Sequence, residues 1–147
     1  PGEILIKAPN LANRYWPDKA LIDADGFWAS GDVASLDADG VYWFRDRLKN
    51  VIISGGENIY PAEIERVLRA VSGINDCCVV GVPSQRWGQT PVAVIEGDAR
   101  PLAPIQQQLK DELARFKHPS RITFVDALPR NAMGKVVRED VRALVLE

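Results

Sequence analysis

Past Lys49 the apolar residues switch back and forth between strand-like runs and helical stripes, an alternation that restricts the chain to a small sheet with covering helices. Val51-Ile52-Ile53 reads as a strand. Residues 61–72 carry Ile64, Val67, Leu68 and Val71 at helical spacing, and Pro61 suits a first helical turn. Residues 77–82 and 91–95 read as two strands, and 102–116 as a helix with Ile105, Leu109, Leu113 and Phe116 along one stripe. Residues 122–125 form another short strand, and 138–146 a last helix with Val141, Leu144 and Val145 inward. The expected class is α+β. Before Lys49 the texture differs: short β runs are punctuated by Asp-Gly turns at 23–26 and 37–40, and Val41-Tyr42-Trp43-Phe44 suits a pleated surface, so this part reads as hairpins. The boundary is expected near residues 47–49. Trp16, Phe27, Trp28 and Trp43 are much apolar area for so short a piece, and some are expected to pack against a body outside it. The chain opens directly into a strand-like run, as a fragment of a longer protein would.

The 147 residues suffice for one domain or a domain plus part of another. A net charge of -2 with interspersed signs offers no basic stripe for a phosphate backbone, which argues against nucleic acid as a partner. No apolar run approaches the roughly 20 residues that span a bilayer, and no signal-peptide pattern opens the chain, so a cytoplasmic location is expected. Cys77 and Cys78 are adjacent within an apolar run, without the spacing of a metal site or a disulfide framework, and read as buried strand thiols. Self-association is left open.

Three strings carry chemistry. In Ser30-Gly31-Asp32 the carboxylate can accept from both hydroxyls of a vicinal diol, although the same tripeptide also makes a simple turn. In Ser54-Gly55-Gly56-Glu57-Asn58-Ile59-Tyr60-Pro61 the paired glycines either admit a thin ligand close to the backbone or merely end a strand. Just upstream, Arg47 offers a fork of donors or a surface ion pair, and Glu63 and Glu65 are expected to complement the positive end of the following helix. In Pro129-Arg130-Asn131-Ala132-Met133-Gly134-Lys135 a lysine stands on a Gly-containing loop before a short helix, either as a mobile ammonium for an anionic reactant or as a solvated surface charge.

In this order the strings resemble the superfamily of AMP-forming acyl-CoA synthetases, peptide-synthetase adenylation domains and beetle luciferases, and the resemblance covers essentially the whole chain. It implies that residues 1–48 are the end of a large N-terminal domain missing from this chain, and that 49–147 are a complete small mobile C-terminal domain. Asp32 resembles the aspartate that binds the ribose hydroxyls of ATP, and Arg47 the arginine near it. Lys49 resembles the hinge about which the small domain turns between two half-reactions. Gly55, Gly56, Glu57 and Asn58 resemble the segment lining the pantetheine tunnel of CoA, and Lys135 resembles the catalytic lysine of the first half-reaction. Lys117, His118 and Arg121 fall where relatives contact the CoA nucleotide, although the residues by themselves favour a solvated loop for each. The sequence departs from the pattern at Asp46, Asn50 and Gln89, none of which touches the expected chemistry.

The implied parent activity is an acid-thiol ligase. ATP activates a carboxylic acid as an acyl-adenylate with release of pyrophosphate, and CoA then takes the acyl group. Magnesium is implied with ligands outside this chain, no metal site is expected within it, and the fragment alone is expected to be inactive. The Gly-Gly-Glu-Asn-Ile-Tyr-Pro form is nearer to acyl-CoA synthetases than to adenylation domains. Two alternatives remain: transfer to a carrier-protein pantetheine, and a non-catalytic interaction module of the same fold.

Overall fold

The computed structural model describes residues 1–17, 19–99 and 101–146 and divides into two compact units, Pro1–Lys49 and Asn50–Glu147. In the first, β1 (Gly2–Ile6) is followed by a small ribbon of β2 (Arg14–Tyr15) and β3 (Lys19–Ala20), then by β4 (Trp28–Leu36) and β5 (Tyr42–Arg47). β1, β4 and β5 form one antiparallel sheet with β4 central. The β4–β5 hairpin turns at 37–40, where Asp37 Oδ1 accepts from the Asp39 and Val41 amides (3.0 and 2.9 Å) and Gly40 takes φ +79°. Trp16, Tyr42, Trp43 and Phe44 are exposed in this unit, whereas Phe27 and Trp28 are half-buried.

The second unit begins with a tight hairpin, β6 (Ile52–Ser54) and β7 (Glu57–Ile59), in which Ser54 pairs with Glu57 across Gly55-Gly56. Both glycines have positive φ (+59° and +88°), as a two-residue turn matched to strand twist requires. β7 is absent from the sequence reading because Glu57-Asn58-Ile59 lacks any strand-like pattern. Helix α1 (Pro61–Arg69) follows, then β8 (Asp76–Ser84) and β9 (Gly88–Glu96), paired antiparallel along their whole length. Helix α2 (Leu102–Glu112) crosses over to β10 (Arg121–Val125), which runs parallel to β9, and α3 (Arg138–Leu146) closes the unit.

β8 is apolar on consecutive positions because both faces of the sheet are covered. Cys77 and Val79 join Ile52, Ile59, Ala93 and Ile95 beneath Ile64, Val67 and Leu68 of α1 and Ile105 and Leu109 of α2. Cys78 and Val80 face the other way, with Val92, Val94, Val141 and Val145. The adjacent cysteines therefore lie in two different cores, both free and buried, and burial pushes their thiols up to about 12 and about 11. The two cores are linked through Glu65, which is buried. Its carboxylate takes the Val79 amide (2.9 Å) and a two-pronged ion pair from Arg138 (2.7 and 3.0 Å), so it ties α1 to β8 and α3 instead of serving the helix terminus.

Three helical expectations need correction. α1 stops at Arg69, and Val71 packs on the core from the turn beyond it, which Gly73 makes at φ +81°. The chain leaves α2 in extended conformation at Leu113, so Phe116 falls off the stripe and stands half-exposed in a 3-10 turn, Arg115–Lys117. Leu144 is 48% exposed, because the buried face of α3 runs through Val141 and Val145, one full turn apart.

Candidate functional site

Three places gather the residues singled out by the sequence. The first lies in unit Pro1–Lys49. Ser30-Gly31-Asp32 is part of β4, not a simple turn, and Asp32 stands directly across from Arg47 on β5, beside a register shift between Val33 and Ala34. Arg47 Nε lies 3.0 Å from Asp32 Oδ1, and Arg47 also donates to the Ser30 carbonyl at 3.1 Å. Asp32 Oδ2 keeps no partner among the described residues, so half of the carboxylate is available to a hydroxyl pair while the guanidinium steadies the other half. Asp46 is buried and accepts from the Arg47 amide at 2.7 Å. Lys49 is exposed in a 3-10 turn, Leu48–Asn50, at the division between the units.

The second place is an open cleft of about 720 Å³ in the other unit, lined by Ser54, Gly55, Glu57, Arg86, Trp87, Thr90, Arg115, Phe116, His118 and Ser120. Gly55 donates to the Trp87 carbonyl at 2.9 Å, and a Cβ on Gly55 would come within 2.9 Å of the Trp87 ring. Glycine is thus demanded twice, by a left-handed backbone and by the indole lying against it. The Arg86 guanidinium sits 4.5 Å from the centroid of the same ring. His118 donates from Nε2 to the Leu113 carbonyl at 3.0 Å. Lys117 and Arg121 do not line the cleft: Lys117 pairs with Glu63 at 2.8 Å while its ammonium lies 5.7 Å from the centroid of the cleft residue Phe116, and Arg121 donates to the Val145 carbonyl. Gly56 and Asn58 do not line the cleft, and Gln89 accepts from the Ile53 amide at 3.3 Å. Trp87, Arg86, Arg115 and Phe116 escaped the sequence reading. A tryptophan flanked by arginine and glycine between two apolar strands was the available signal. Two guanidiniums, two aromatic faces and a close glycine backbone suit a thin chain bearing a base and phosphates.

The third place is the Lys135 loop, a tight hairpin. Asn131 Oδ1 accepts from the Met133 and Lys135 amides (both 3.0 Å), the Asn131 amide donates to the Lys135 carbonyl (2.9 Å), and Gly134 takes φ +77°. The Lys135 side chain is exposed, and its ammonium has no partner among the described residues. Arg130 grips the base of the hairpin, bonding to Asp76 (2.6 Å), Glu96 (3.3 Å) and the Gly134 carbonyl (3.2 Å). Burial tends to raise the Asp76 pKa, but Arg130, the Cys77 amide and Arg69 outweigh it and hold the carboxyl below its ordinary value. The Leu128 amide, then Arg130, does the same for Glu96.

The last two places sit at opposite ends of one structure. Asp76 pairs with Glu96 at the open end of the β8–β9 hairpin, and Ser84 pairs with Gly88 at its turn, beside Trp87. Eight residue steps of about 3.4 Å put the two ends of this hairpin roughly 27 Å apart. Among the described residues no cluster of His, Cys, Asp or Glu could hold a metal ion, and no helix is long and apolar enough to cross a membrane.

Comparison with known proteins gives this geometry a family. Residues 63–135 match the model of the AMP-binding enzyme C-terminal domain. The chain is 45% identical to the indoleacetate–CoA ligase of Aromatoleum aromaticum, over 98% of this chain and 29% of that protein. Among solved structures, the o-succinylbenzoate CoA synthetase of Bacillus subtilis in complex with its acyl-adenylate intermediate superposes with a TM-score of 0.87 at 34% identity, over 96% of this chain and 30% of that one. An amide bond synthetase from Marinactinospora thermotolerans superposes with a TM-score of 0.84 at 29% identity, over 97% and 31%. The chain belongs to the superfamily of AMP-forming acyl-CoA synthetases and related adenylate-forming ligases. It spans about 30% of the length of the relatives it matches.

Proposed function

We propose that this chain carries the mobile domain of an acid-thiol ligase that activates a carboxylic acid with ATP, releasing pyrophosphate, and passes the acyl group to CoA, releasing AMP. Residues 1–48 belong to the end of a larger body, residues 49–147 form the small domain, and Lys49 is the hinge between them. The observation that carries the reading is the separation of the Lys135 hairpin from the Trp87 cleft by the length of β8–β9. A rigid sheet cannot present sites toward the opposite ends of a hairpin roughly 27 Å long to one reaction centre at once, so two orientations are needed.

Acid activation joins two anions, and the ammonium of Lys135, which has no partner among the described residues, offsets their repulsion as charge builds on the α-phosphate. A contact of that kind is worth about 3 kcal/mol, roughly a hundredfold in rate. Asp32, steadied by Arg47, accepts the ribose hydroxyls. Thioester formation then needs a thiol to reach a carbonyl through a narrow passage, and the Gly55 turn offers backbone without side chain there, with Trp87 and Phe116 for the adenine and Arg86 and Arg115 for the phosphates. His118 is the one of the three nucleotide candidates that lines this cleft. Magnesium, when bound, neutralises phosphate charge, and its ligands lie outside the described residues. The acyl acceptor is CoA; relatives of this fold also include an amide bond synthetase, so the acceptor is tested directly.

The test is pyrophosphate exchange by the full-length protein with a panel of acids, followed by thioester formation from supplied acyl-adenylate and free CoA. Lys135→Ala is expected to lose exchange about a hundredfold and to keep thioester formation. Wild-type exchange in a folded Lys135→Ala protein removes the assigned role, and no thioester with free CoA removes the assigned acceptor.

A further inference from the structure

The hairpin that carries Lys135 is exposed at every residue from Asn131 to Lys135, yet one guanidinium fastens it from below. Arg130 extends one nitrogen to the carboxylates of Asp76 and Glu96 and the other to the carbonyl of Gly134, the residue immediately before the lysine. The two carboxylates face each other as the first residue of β8 and the last of β9. Like charges opposite one another on adjacent strands destabilise a sheet unless a cation lies between them. These carboxylates are also firmly seated. Asp76 Oδ1 takes the Cys77 amide at 2.8 Å and Arg69 at 3.3 Å, and Glu96 Oε2 takes the Leu128 amide at 2.9 Å. Arg130 therefore docks into a socket fixed by two main-chain amides and Arg69, and its other nitrogen grips the loop.

We infer that Arg130 is a positioning residue: seated on the Asp76–Glu96 pair, it fixes the Gly134 carbonyl and so confines the direction in which Lys135 projects. Three of its five N–H donors are engaged by these protein groups. Within the hairpin, Asn131 closes the turn but does not attach it to the sheet; Arg130 does. This inference rests on the reading that Lys135 acts in acid activation. A lysine whose loop drifts by about 1 Å loses on the order of tenfold to a hundredfold in rate without losing its charge.

The experiment uses the full-length ligase with Arg130→Ala, Arg130→Lys, Glu96→Gln and Lys135→Ala, each measured in pyrophosphate exchange and in thioester formation from supplied acyl-adenylate and CoA. Arg130→Ala is expected to lower kcat for exchange by about tenfold to a hundredfold, to leave KM for ATP and acid within about threefold, and to leave thioester formation within about twofold. Arg130→Lys keeps the charge in the socket but lacks the fork to Gly134, and recovers only part of the loss. Glu96→Gln weakens the socket while leaving Arg130 intact, and lowers exchange in the same selective way, so the inference stays testable if Arg130→Ala does not fold. Unchanged exchange in Arg130→Ala, with exchange lost in Lys135→Ala, overturns the positioning role and leaves the role of Lys135 standing. Equal loss of both half-reactions in Arg130→Ala and Glu96→Gln marks a general structural prop and also overturns it. Unchanged exchange in Lys135→Ala removes the reading on which the inference rests.

Discussion

Gly55→Ala offers the sharpest test of the cleft. Holding a non-glycine residue at φ +59° costs about 1–2 kcal/mol, which the fold can absorb. The new methyl group would sit 2.9 Å from Trp87 Cε3 and 3.3 Å from Cζ3, against a comfortable carbon separation of about 3.5–4.0 Å, so the ring must retreat by roughly 0.6–1 Å. Trp87 is 47% exposed and is free to yield; the clash becomes displacement more than stored strain. The indole then shifts away from the Gly55 turn and changes its place against the Arg86 guanidinium, where CoA is proposed to lie. The expected result in the full-length ligase is a tenfold to hundredfold fall in kcat/KM for CoA, with pyrophosphate exchange within about threefold of wild type. A double-mutant cycle isolates the cause: in a Trp87→Ala background, Gly55→Ala should add little to the CoA defect, because the ring is already gone. Fully additive defects, or a Gly55→Ala enzyme with normal CoA kinetics, would refute the reasoning.

Other outcomes follow from the same geometry. Arg138→Ala takes from the buried Glu65 carboxylate its two-pronged partner, leaving Arg69 at 3.8 Å and the Val79 amide, and should lower the stability of the second unit by about 3 kcal/mol, read as the urea midpoint for Cys77 labelling by peptide mass spectrometry. With thiols pushed up to about 12 and about 11, Cys77 and Cys78 hold only about one part in ten thousand and one in a thousand as thiolate at pH 8, so both should resist alkylation in the native protein and react on unfolding. Asp76 and Glu96 titrate lower in the folded protein than in the unfolded chain. Their contribution is complete above the ordinary carboxylate range of about 4 and is lost as pH falls through the lowered values; thermal midpoints from pH 2.5 to 6 should fall less steeply in Asp76→Asn than in wild type.

The sequence displays what is local and periodic. The stripe of α1 and the unbroken apolar run of β8 follow from spacing alone, because each reports which faces are covered. Where an element ends is set by backbone events that spacing does not record: Phe116 stays in phase with Ile105 and Leu109 on paper, but the chain has already left the helix at Leu113. That departure carries Phe116 into the cleft, so the error in the helix and the omission from the site have one origin. The paired glycines announce the Gly55 turn, whereas Trp87, Arg115 and Phe116 reach it from distant loops and carry no shared pattern. Arg130 meets Asp76 and Glu96 across 54 and 34 residues of chain, and no short string can reveal such a clamp.

The length of the β8–β9 pair is a dimension as well as a source of stability. Removing two residues from each strand would keep the pleat in phase and the same faces inward, yet would bring its extremities about 7 Å closer. A shortened version would fold while missing one of its two destinations, so this ruler is calibrated by the distance it must span.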